Sequence, residues 1–139
     1  MAEVLARGMA PSLGLSDLVV ESAGVGAMEG SPASDGALLV AMEHGLDLGQ
    51  HRARQATPAV VANADLVLTM GESHARQIRE MGGEGRTFVL PDYATSGVDR
   101  GNVRDPFGAD LEVYRSTFAE LERYVEQALR RAAADDTSR

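Results

Sequence analysis

Hydrophobic positions along this chain fall into two alternating patterns: short continuous runs, and longer stretches spaced at three and four residues. The clearest helical stretch follows Asp110, where Leu111, Tyr114, Phe118, Leu121, Val125, Ala128 and Leu129 mark one buried helix face. Residues 2–10 read as a helix with Val4, Leu5 and Met9 on its apolar side. Ser34 can N-cap a helix over 35–44 with Leu38, Leu39 and Met42 inward, and Gly45 stands where a C′ glycine belongs. Thr57-Pro58 joins a capping hydroxyl to a proline at the first helical position and opens another short helix. A helix over 72–81 turns Ile78 and Met81 inward and stops at Gly82-Gly83.

Between these helices lie continuous apolar runs of strand length: Leu18-Val19-Val20, the stretch 64–70, and Thr87-Phe88-Val89-Leu90, closed by Pro91. Residues 92–108 are rich in Asp, Gly and Pro and read as loop, and 131–139 as a fraying, solvated tail behind a domain over 1–130. Continuous apolar strands alternating with helices predict an α/β fold in three layers, a small parallel sheet flanked by helices. Three strands make a thin sheet for such a domain.

Composition narrows the chemistry. The 139 residues are 44% apolar but only 4% aromatic, so Leu, Val, Ala and Met must fill the core of one domain. A net charge of −8 argues against sequence-independent nucleic-acid binding, which needs basic surface. All 13 basic residues are Arg, which the coding bias of a GC-rich genome explains. No apolar run approaches the roughly 18 to 20 residues of a membrane span, and residues 1–7 lack a signal-peptide layout, so a cytoplasmic location is expected. With no cysteine, a disulfide scaffold, a Cys-ligated metal and a Cys nucleophile are excluded within these residues.

No phosphate-loop motif occurs, and Gly24 and Gly26 read as turn residues. His44, His51 and His74 show no metal-ligand spacing, and neither metal nor cofactor is expected; His44 suits a helix C-terminus. The basic patch His51-Arg52-Ala53-Arg54-Gln55 has two readings, an anion-recognition loop and arginines that satisfy loop carbonyls and nearby carboxylates, and the second is favoured. More distinctive is Asp105-Pro106-Phe107-Gly108, a carboxylate stiffened by proline at the end of a long loop. Asp-Pro also opens ordinary turns, and the motif alone does not choose between the two uses.

Taken in order, several segments resemble the low-molecular-weight protein-tyrosine phosphatase family, and most closely its bacterial branch that includes protein arginine phosphatases. They are Met1-Ala2-Glu3, Ser22-Ala23-Gly24, Pro32-Ala33-Ser34, Gly45-Leu46-Asp47-Leu48, His51 to Gln55, Ala64 to Met70, Asp92-Tyr93, Asp105 to Gly108 and Leu111 to Arg115. The resemblance implies a four-stranded parallel sheet and double displacement at phosphorus on phosphorylated proteins. A Cys nucleophile and an Arg in a C-x5-R-S loop after the first strand carry that chemistry. It also implies that Asp105 is the general acid and base, that Phe107 walls the substrate cleft, and, from the Phe-Gly form, that phosphoarginine is a candidate substrate.

These residues begin at the Met that follows that loop in the family, so the first strand, the Cys and the Arg lie outside them. The chain as given is therefore expected to be inactive, as a truncated phosphatase whose start is mis-set, the favoured origin. The alternative is a P-loop-less pseudophosphatase that binds phosphoproteins or another chain. An arsenate reductase of the same fold would need redox cysteines. Without the first strand, the strands at 18–20 and 64–70 are expected to expose open edges and self-associate.

Overall fold

The computed structural model describes residues 1–137. The elements run in the order α1 (Ala2–Met9), α2 (Asp35–Glu43), α3 (Pro58–Ala62), β1 (Val67–Thr69), α4 (Glu72–Ile78), β2 (Thr87–Val89), α5 (Leu90–Ala94) and α6 (Leu111–Thr137). β1 and β2 pair in parallel, with Val67 opposite Thr87 and Thr69 opposite Val89. α4 and the π turn Arg79–Gly83 make the crossover between them, ended by Gly82 at φ 106°.

The sheet separates two apolar clusters. On one face Leu66, Leu68 and Phe88 pack against a core of Leu5, Val40, Leu90, Phe118, Leu121 and Val125, drawn from α1, α2, α5 and α6. On the other, Val67 packs against Ala56, Val61 and Ile78 beside α3 and α4. Both faces of β1 are thus covered, the arrangement that a continuous apolar strand favours. Its edges are not equivalent. Val67 donates its amide to Arg86 O on the β2 side, so by parallel-ladder alternation Leu68 turns its amide and carbonyl to the opposite edge. Among the described residues no strand pairs there.

The α/β architecture, with a small parallel sheet between helices, agrees with the sequence, but several details differ. Leu18-Val19-Val20 is not a strand: Val19 is 80% exposed, and the carbonyl of Val20 accepts the Arg7 guanidinium at 2.8 and 3.1 Å. An apolar run becomes a strand only when a neighbour completes its ladder, and among the described residues none does so. The inner face of α2 is Ala37, Val40 and Ala41, while Leu39 and Met42 are 51% and 69% exposed. Pro91 opens α5 instead of closing a strand, so the stretch 92–108 begins inside a helix. α6 continues through 131–137 where a tail was expected; there Arg131 donates to Tyr93 O at 2.8 Å and lies over the Tyr93 ring. Ser138 and Arg139 lie outside the described residues.

Other expectations hold. Thr57 accepts from the Val60 amide at 3.2 Å as the cap of α3, and Gly45 takes φ 72° behind α2. Ile78 is buried and Met81 packs beside it.

Candidate functional site

Asp105 stands on the segment that joins α5 to α6, and the chain around it alternates between anchor and presentation. Val103 is buried, Arg104 and Asp105 are exposed, and Pro106 is buried again. The Val103 amide donates to Met70 O at 2.7 Å, which ties the segment to the end of β1. One residue earlier, Asn102 Oδ1 accepts the amide of Glu72 at 3.1 Å at the start of α4. Asp105 Oδ1 in turn accepts the amide of Phe107 at 3.0 Å in an Asx turn. Among the described residues nothing bonds to its Oδ2, which is left for an outside partner. Phe107 is 78% exposed beside it, an apolar wall open to solvent.

Upstream, the segment is clamped to α6. Tyr124 donates its hydroxyl to Asp99 Oδ2, and the Gly101 amide donates to Asp99 Oδ1 at 2.9 Å. These bonds, the Tyr124 hydroxyl first, hold the Asp99 carboxyl below the usual carboxylate range. The same contact raises Tyr124.

A second feature is a cleft of about 340 Å³ between α1 and the loop 47–54. Glu3 is its hub: Ser22 Oγ donates to it at 2.9 Å, Arg7 pairs with it at 3.4 Å, and His51 Nδ1 stands 4.0 Å away. Arg54 pairs with Glu21 at 3.2 Å, while its buried Nε has no partner among the described residues. Arg52 caps the carbonyls of Gly49 and His51, so the patch 51–55 serves loop carbonyls and carboxylates. Asp105 and Phe107 do not line this cleft. In this cleft Glu3 and Glu21 already pair with Arg7 and Arg54, and Asp47 accepts the Gly49 amide at 2.7 Å. One oxygen of Asp105, by contrast, is unengaged among the described residues, which makes Asp105 the candidate for proton transfer.

His44 caps α2: its Nδ1 lies 3.0 Å from Val40 O and its ring packs on Phe118 at 4.3 Å. His74 is exposed on α4. Among the described residues no group of three or more His, Cys, Asp or Glu is placed to hold a metal ion, and no helix is long and apolar enough to cross a membrane. The residues that sequence inspection missed are Asn102 and Val103, whose partners stand some thirty positions earlier with no local signal.

The comparisons with known proteins bear on the fold and the family. The profile of the family described as "Low molecular weight phosphotyrosine protein phosphatase" matches residues 1–138. The probable low molecular weight protein-tyrosine-phosphatase EpsP of Ralstonia solanacearum is 34% identical over 91% of this chain and 81% of that protein. The protein-arginine-phosphatase of Bacillus subtilis is 34% identical over 97% and 89%. Among solved structures, the YwlE arginine phosphatase from Geobacillus stearothermophilus superposes with a TM-score of 0.85 at 30% identity, covering 99% of this chain and 88% of that one. The chain belongs to the low molecular weight phosphotyrosine protein phosphatase family.

Proposed function

We propose that this chain carries the acid half of a protein-phosphatase site, with Asp105 as general acid and base and Phe107 as a wall of the substrate cleft. The substrates are phosphorylated proteins, phosphotyrosine or phosphoarginine, and the Phe107-Gly108 pair weighs toward phosphoarginine. The observation that supports the reading is the presentation of Asp105 between two buried anchors, with one carboxylate oxygen engaged and the other open. A carboxylate held so can give a proton to the departing oxygen or nitrogen, then take one from the water that attacks the phosphoenzyme.

The displacement also needs a thiolate, and these 139 residues hold no cysteine. The segment 102–108 that carries Asp105 holds no Ser or His to replace it. We therefore expect the chain as given not to hydrolyse p-nitrophenyl phosphate or phosphoarginine above background. A chain carrying a strand and a C-x5-R-S-P loop ahead of Met1 should turn over both. In that longer chain Asp105→Asn should lower kcat by roughly 10²- to 10⁴-fold with little change in KM. An unchanged kcat would remove Asp105 from its role. Turnover by the pure 139-residue chain that Asp105→Asn abolishes would refute the need for the thiolate.

A further inference from the structure

The N-cap of α4 is Gly71, which has no side chain to accept the first-turn amides of the helix. The missing acceptor comes from 30 residues away, as Asn102 Oδ1 takes the Glu72 amide at 3.1 Å. The next residue donates its own amide back: Val103 N to Met70 O at 2.7 Å. Two consecutive residues of the acid segment are therefore bonded to two positions that bracket Gly71. One bond alone would act as a pivot; two fix both the place and the rotation of the stem. Two residues beyond Val103 the chain reaches Asp105, exposed, before Pro106 buries itself again.

We infer that Asn102 is a positioning residue for Asp105: by capping α4 from outside the helix, it locks the stem from which the acid is presented. The inference rests on the assignment of Asp105 as the acid, but its test needs no turnover, so the two fail separately. The alternative is that Asn102 is a helix cap and nothing more.

Backbone ¹⁵N relaxation and amide exchange on the 139-residue chain separate these roles. In the unsubstituted protein, Asp105 and Phe107 should show order parameters near the rigid value of about 0.85. Asn102→Ala should speed exchange at the Glu72 amide about fivefold, as the loss of a cap does. It should also lower the order parameters of Asp105 and Phe107 below about 0.6. Asn102→Asp keeps the acceptor, adds a favourable charge at a helix N-terminus, and should restore both. Faster exchange at Glu72 with Asp105 and Phe107 unchanged would reduce Asn102 to a cap and overturn the inference. So would a mobile Asp105 in the unsubstituted protein, or a failure of Asn102→Asp to restore order. Protection at Val40, fully buried in the core, should stay constant throughout; its loss in Asn102→Ala would mean general unfolding and also count against the inference.

Discussion

Replacing Gly36 with alanine sets two forces against each other, and the structure says which wins. Gly36 is the second residue of α2, where intrinsic propensity favours alanine by up to about 1 kcal/mol. A Cβ built there, however, lies 2.5, 2.6 and 2.7 Å from Cε2, Cδ2 and Cζ of Tyr114. Carbon atoms rest at about 3.5 to 4.0 Å, so the ring must retreat by roughly an ångström. It is badly placed to do so, being buried in the core with its hydroxyl 3.1 Å from Ser34 Oγ. Overpacking of this kind costs about 1 to 3 kcal/mol. Setting the middle of that range against the full propensity gain leaves a net loss of about 1 kcal/mol, or a drop in Tm of a few degrees for a domain of this size. Urea unfolding at low micromolar protein would read it as a lower midpoint at unchanged slope. In a Tyr114→Leu background the cost should shrink by at least about 0.5 kcal/mol, because the obstructing ring is gone. If Gly36→Ala is neutral or stabilising beside an intact Tyr114, the close packing of α2 on α6 is wrong.

Other expectations follow from the same contacts. Asp99 is held below the usual carboxylate range by Tyr124, so its stabilising contribution is complete above the unfolded value of about 4 and disappears as pH falls through the lower folded value. Tyr124 is raised, so its share is present below about pH 10 and lost above. Tyr124→Phe should flatten both limbs of the stability–pH profile measured by urea titration, and an unchanged acid limb would refute the clamp. The open edge of β1, together with the unpaired run 18–20 in which Val19 is exposed, should make the chain associate with itself at roughly tens of micromolar. Light scattering that shows a monomer throughout that range would exclude this.

What the sequence discloses here is local. The period of α6, the Thr57 cap and the Gly45 stop are each written within a few residues, and each is found. The phase of α2 is not. Residues 37–42 are all apolar, so hydrophobicity alone does not choose a face, and the packing of Gly36 against the Tyr114 ring is a contact that sequence spacing does not reveal. Leu18-Val19-Val20 carries strand propensity, but propensity without a ladder leaves Val20 O to Arg7. Pro91 could either close a strand or start a helix, and a proline at the first helical turn does the second. At the site, Asp105-Pro106-Phe107-Gly108 stands out as a motif, whereas Asn102 does not. A cap supplied across 30 residues has no spacing that a reader of the sequence could look for.

The core that joins Leu5 of α1 to Leu121, Val125 and Leu129 of α6 links opposite ends of the chain. During synthesis α1 is made well before α6, the helix that covers it. At about 5 to 20 residues per second, the 27 residues of α6 take on the order of one to five seconds to appear. Through that interval the apolar side of α1 has no permanent cover. The smaller cluster of Ala56, Val61 and Ile78 draws on neighbouring sequence and can close long before. Synthesis therefore allows the β1–α4–β2 crossover to settle early, while the larger core waits for α6.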